Sequence, residues 1–229
     1  MTIMLLECKI DFFLFRNCIN ILQNIVELKL PITFPLGIFI DVLFIEKKYN
    51  LTVPSWVPKI FDELKDVAAH TYSLVYNSTD ILQLRAGPAL GLINKVFDDK
   101  INNNAPELKF RTYSTHDVNI GAVLAALNNL GIEIINYCST LIFELYSGAR
   151  GNYFIRILFL NTQNIDKFNQ TPRVLILPGC QEYCPYQKYL KFTNVYASTD
   201  YEKECDIDSN EENVITSEVR KPISFNVNF

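Results

Sequence analysis

A histidine followed at once by an aspartate, His116-Asp117, stands where a β-type segment gives way to a helical one. Leu108 to Ser114 alternates apolar and polar residues and carries aromatics, which predicts a strand. Residues 119 to 130 are rich in alanine and leucine, with Ile120, Val123, Leu124, Leu127 and Leu130 at helical spacing, and predict a helix. A ring able to carry a positive charge and a carboxyl group thus share a strand-to-helix loop. In open α/β sheets ligands bind beyond the carboxyl ends of strands, where helix N-termini add unpaired N–H groups and a field that favours anions. A protonated His116 can hold a phosphoryl oxygen while Asp117, as the acid, protonates a departing alkoxide. The plainer alternative is an aspartate that caps the helix behind it.

The surrounding pattern supplies elements to hold such a loop. Pro58 to Tyr76 keeps Ile60, Phe61, Leu64, Val67 and Ala68 on one face, and Leu82 to Phe97 behaves similarly around Gly87-Pro88, so both predict helices. Beyond Tyr113 strands are expected over Leu141 to Leu145, Tyr153 to Leu160 and Val174 to Leu177. Phe154-Ile155-Arg156-Ile157-Leu158-Phe159-Leu160 is nearly all apolar, as a strand covered on both faces would be. The only other histidine, His70, follows Val67-Ala68-Ala69 inside a helical run and reads as a packed or surface residue. Arg85, Arg111, Arg150, Arg156 and Arg173 read as solvated surface charge.

Composition narrows the classes. With 229 residues and 49% hydrophobic content the chain can bury a sizeable core. A net charge of -4 and the lack of a basic patch interleaved with aromatics disfavour nucleic acid. There is no glycine-rich phosphate loop and no metal-type Cys/His spacing, so neither a cofactor nor a metal is expected. Cys180-Gln-Glu-Tyr-Cys184 admits a metal or redox pair as well as a disulfide. Asn50-Leu51-Thr52, Asn77-Ser78-Thr79 and Asn169-Gln170-Thr171 are glycosylation sequons, the last weakened by Pro172. The run Ile32 to Ile45 is too short to span a bilayer and contains Asp41, so no transmembrane segment is expected. Met1 to Leu30 mixes Phe12-Phe13-Leu14-Phe15 with Glu7, Lys9, Asp11 and Arg16 and lacks the form of a signal peptide. It reads as a helix packing on the core or a misassigned start, with an amphipathic membrane-surface segment as the rival.

Tyr113-Ser114-Thr115-His116-Asp117, the Gly-Ala-Val-Leu-Ala-Ala-Leu helix and Thr140-Leu141-Ile142-Phe143-Glu144-Leu145-Tyr146 together resemble the histidine acid phosphatase family, prostatic and lysosomal types included. Asn50 to Trp56 looks like the family's segment before its helical domain. Leu177-Pro178-Gly179-Cys180-Gln181-Glu182-Tyr183-Cys184-Pro185 looks like its C-terminal disulfide loop, and Asp200 to Cys205 like its closing cysteine. The resemblance covers roughly residues 36 to 205, with the motifs in family order.

It implies an α/β fold: a phosphoglycerate-mutase-like (histidine phosphatase) three-layer sandwich, here partial, with a helical cap over about 54–100 that shapes a broad pocket. An atypical segment 1–35 precedes the domain and an acidic tail 206–229 follows it. It implies acid phosphatase chemistry on phosphomonoesters, with His116 holding the phosphate and Asp117 donating a proton to the leaving group. The family's nucleophile lies in an R-H-G-x-R-x-P motif, and these 229 residues contain no Arg-His dipeptide. The isolated chain is therefore expected to be inactive, as part of a longer phosphatase or, alternatively, as a non-catalytic paralogue acting as a secreted anion-binding or interaction module. A Cys180–Cys184 disulfide and a secreted or lysosomal location are also implied. Cys205 matches a cysteine whose family partner is not in this chain, Cys8, Cys18 and Cys138 have no assigned partner, and an open sheet edge would favour a homodimer.

Overall fold

Between residues 140 and 160 two β-rich runs flank Gly148–Gly151, and a hairpin forms there in the computed structural model. It describes residues 1–7, 33–131, 133–162, 167 and 169–197. Strand β3 (Thr140–Ser147) pairs antiparallel with β4 (Tyr153–Leu160), from Thr140 opposite Leu160 to Ser147 opposite Tyr153. Arg150 and Gly151 turn the chain with φ of 62° and 73°, a region that costs glycine nothing. Ile157, Leu158 and Phe159 are all buried although successive residues point to opposite faces, so β4 is covered on both sides, as its apolar run implied.

Strand β1 (Thr2–Glu7) lies beside β3 and antiparallel to it, and β2 (Phe110–Thr115) pairs parallel with the other edge of β1. With β5 (Arg173–Leu175) the order is β2-β1-β3-β4-β5, and β6 (Cys184–Pro185) pairs with β4. The position of β1 corrects the expectation of a helix at the start of the chain. Thr2 to Glu7 is a central strand with Ile3 wholly buried, stabilised by backbone pairing on both edges. Residues 8–32, with Cys8 and Cys18, and residues 198–229, with Cys205 and the acidic tail, lie outside the described residues.

Five helices complete the described chain: α1 (Thr33–Lys48), α2 (Phe61–Val75), α3 (Thr79–Ile101), α4 (Asp117–Ala126) and α5 (Tyr186–Thr193). The run expected from Pro58 is split: Val57–Lys59 forms a 3-10 turn with Pro58 in it, and α2 begins at Phe61. Ser78 caps α3 by accepting the Ile81 N–H at 3.2 Å, and α3 runs through Pro88, which costs an isolated helix about 3 kcal/mol. Its buried face, including Leu90, Ile93 and Phe97, offsets that cost by packing with Ile120, Leu124, Phe143 and Tyr189 in one core. No helix among the described residues is long and apolar enough to cross a membrane. Arg156 and Arg173 are not simply solvated: Arg156 bridges Glu182 (2.8 Å) and Glu144 (3.4 Å), and Arg173 pairs with Glu133.

Candidate active site

The His116-Asp117 turn is built by its neighbours in sequence. Strand β2 keeps the chain extended as far as His116 (φ -107°, ψ 161°), which is the N-cap of α4, and Asp117 is the first helical residue. The His116 carbonyl accepts the N–H groups of Asn119 (3.0 Å) and Ile120 (3.2 Å), while Asn119 Oδ1 accepts the His116 N–H at 3.3 Å. Asp117 Oδ1 accepts the Val118 N–H at 2.9 Å, so the carboxylate does satisfy one free donor of the first turn. The helix field at this end favours an anion. His116 is exposed and Asp117 half-buried.

The helix starts two residues earlier and stops four earlier than its periodicity suggested, because His116 takes the cap and Asn128 adopts φ 54°. Asn129 N–H bonds the Leu124 carbonyl (2.8 Å) and Asn128 N–H that of Ala125 (2.9 Å), closing the C-terminus in a Schellman arrangement. Asn129 Nδ2 also donates to the carbonyls of Leu127 (2.7 Å) and Ile176 (3.2 Å), tying this end of α4 to the chain after β5.

Two strands end at this place. In the parallel β1–β2 pair Glu7 is in register with Thr115, so β1 terminates where His116 begins. The carboxyl ends of parallel strands meeting a helix N-terminus are where α/β sheets take anionic ligands. A second tie comes from further away. The Tyr76 hydroxyl, just beyond α2, donates to the Val118 carbonyl at 2.6 Å. Burial pushes this phenol up to about 12, with Asp117 acting in the same direction and Arg85 against it.

Residues 49–160 match the histidine phosphatase superfamily (branch 2). The chain carries a histidine phosphatase superfamily domain. The chain is 31% identical to lysosomal acid phosphatase of Xenopus laevis over 169 residues, covering 72% of this chain and 38% of that protein. It is 33% identical to venom acid phosphatase Acph-1 of Apis mellifera over 168 residues, 72% of this chain and 42% of that one. The human lysosomal acid phosphatase is 30% identical over 74% of this chain and 40% of its own length. The chain thus spans about two fifths of the curated relatives it matches. Apo Hafnia alvei phytase superposes with a TM-score of 0.59 at 15% identity, over 74% of this chain and 48% of that one. Its fold is therefore the histidine phosphatase fold, as the motifs implied.

His70 is exposed on α2, and its Nδ1 donates to the Asp66 carbonyl of the same helix at 2.7 Å. Cys180 and Cys184 form a disulfide with Cα atoms 5.1 Å apart, and Arg156 holds their loop to the sheet through Glu182. Cys138 is exposed, with φ 61°. Asn50, Asn77 and Asn169 are all exposed. Among the described residues no group of three or more His, Cys, Asp or Glu side chains is placed to hold a metal ion. Strand β1 and the Tyr76 tie escaped sequence reasoning. For β1 the signal was the apolar run Ile3-Met4-Leu5-Leu6, obscured by the charges after it.

Proposed function

We propose that this chain is the phosphate-holding and proton-donating part of an acid phosphatase that hydrolyses phosphomonoesters through a phosphohistidine. His116 donates a ring N–H to a phosphoryl oxygen at the end of the β1–β2 pair. A histidine nitrogen forms a bond to phosphorus as the ester P–O bond breaks, and the proton of the Asp117 carboxylic acid passes to the departing alkoxide. Water then attacks phosphorus as the P–N bond breaks, gives a proton to the Asp117 carboxylate and leaves as part of inorganic phosphate, with the histidine restored. The observation that carries this function is the placing of His116 as N-cap and Asp117 as first residue of α4, at the shared end of two parallel strands.

The attacking histidine is not His70, which is exposed and bonded to its own helix. The 229-residue chain alone therefore binds phosphate with negligible turnover. A non-catalytic anion-binding paralogue is the second reading, favoured by the lack of any Arg-His dipeptide in these residues. Domain limits of about 36–205 with a cap over 54–100, glycans on Asn50, Asn77 and Asn169, and a secreted or lysosomal location accompany either one.

Titration of the chain with inorganic phosphate at pH 5, followed by heat or by 31P resonance, tests the site. A charge-assisted hydrogen bond contributes about 1.5–3 kcal/mol, so His116→Ala should weaken binding about ten- to a hundredfold. Binding unchanged in His116→Ala would remove the basis of the proposal. Turnover of p-nitrophenyl phosphate by the chain alone, abolished in His116→Ala or Asp117→Asn, would overturn the claim that it lacks a nucleophile.

A further inference from the structure

We propose that Tyr76 is a positioning residue for the His116-Asp117 turn, locking it to the helical cap through the first turn of α4; this rests on taking that turn as the phosphate site. Tyr76 stands immediately after α2 and is only 7% exposed, and its hydroxyl reaches the Val118 carbonyl at 2.6 Å across 42 residues of sequence. Val118 also gives its N–H to Asp117 Oδ1 at 2.9 Å. One residue therefore joins the carboxylate on its amide side to the tyrosine on its carbonyl side.

Further along the helix Ile120 and Leu124 pack against α3 in the core, and the turn before them is held by hydrogen bonds. The Val118 side chain is 44% exposed and His116 is also exposed, so that packing begins beyond them. Asn119 closes the turn on itself by accepting the His116 N–H, which fixes its conformation and not its place relative to α2. The Tyr76 bond supplies that second constraint. Burial pushes the phenol up to about 12, so it remains a donor throughout the acid and neutral range.

Tyr76 also belongs to the core, so its loss could act through stability alone. The two histidines separate these outcomes, because the full chain labelled in its histidine rings gives two ring signals, with exposed His70 as the internal reference. Tyr76→Phe keeps the ring and deletes the hydroxyl. In the free protein the His116 signal should move while that of His70 stays, and the Asn119 and Ile120 amides should exchange up to about tenfold faster. Inorganic phosphate should bind about three- to tenfold more weakly. Tyr189→Phe, a buried tyrosine change in α5, should leave the His116 signal in place. A lower Tm in Tyr76→Phe with unchanged His116 signal and amide exchange would overturn the proposal, as would equal movement in Tyr189→Phe. If the native His116 signal ignores phosphate, the phosphate site itself fails, and the positioning role is still decided by the free-protein signals.

Discussion

Replacing Asn161 by alanine should be among the most damaging single changes in this chain, because one amide organises the whole connection between α4 and the β3–β4 hairpin. Asn161 Oδ1 accepts from the Asn136 N–H (3.0 Å), the Asn136 side-chain amide (3.1 Å) and the Ser139 hydroxyl (3.0 Å). Its Nδ2 donates to Glu133 Oε2 (3.0 Å) and the Ile134 carbonyl (2.9 Å). Each bond is worth about 0.5–1.5 kcal/mol net, but the three acceptances share one oxygen and half-buried Glu133 regains water, so the sum must be discounted. The expected loss is about 2–3 kcal/mol, weighted towards Ser139, which is fully buried. In a domain of this size that lowers Tm by roughly 5–10 °C, readable by circular dichroism and by a lower urea midpoint at constant slope. Asn161→Asp keeps the acceptor but turns the Nδ2 position into a second carboxylate oxygen beside Glu133. It should destabilise through repulsion between the two carboxylates and through the lost donor. A Tm within about 1 °C of the native chain for Asn161→Ala would show that the network is incidental to the fold.

Two further outcomes follow from buried tyrosines. Tyr189 is wholly buried and its hydroxyl has no hydrogen-bond partner among the described residues, since the Thr193 hydroxyl donates to the Tyr189 carbonyl instead. Tyr189→Phe should therefore be neutral or stabilise by up to about 1 kcal/mol in urea unfolding, and a loss above about 1 kcal/mol would reveal a partner. Tyr76 acts at the alkaline end: its folded pKa is raised from 10.0 to about 12, so its stabilisation is complete below pH 10 and is lost as pH rises towards 12. The stability gap between the native chain and Tyr76→Phe should narrow by about 1–2 kcal/mol across that window; a constant gap would show an ordinary, exposed phenol.

What could be read locally was read well. β4 occupies Tyr153–Leu160 as its apolar run indicated, and Pro88 was correctly placed inside a helical segment. The errors share a physical origin in contacts distant along the chain. Strand β1 pairs with residues more than a hundred positions away, and a six-residue strand carries too little periodicity to announce such pairing. Arg156 and Arg173 looked like surface charge because Glu182, Glu144 and Glu133 are brought to them only by the sheet. The boundaries of α4 shifted through backbone conformation at His116 and Asn128, which composition does not specify.

The candidate site divides in the same way, and the division bears on how strongly it can hold an anion. The His116-Asp117 turn was legible as a turn because adjacent residues form it, whereas Tyr76 reaches it only through the fold that brings the end of α2 to α4. Taken by itself the turn offers one charge-assisted bond of about 1.5–3 kcal/mol and a helix-end field of about 0.3–1 kcal/mol. Together these fall near or below the roughly 4 kcal/mol that corresponds to a millimolar dissociation constant. Affinity no better than about millimolar is thus what the His116-Asp117 turn can supply alone. Micromolar affinity would require a further cation beside the turn.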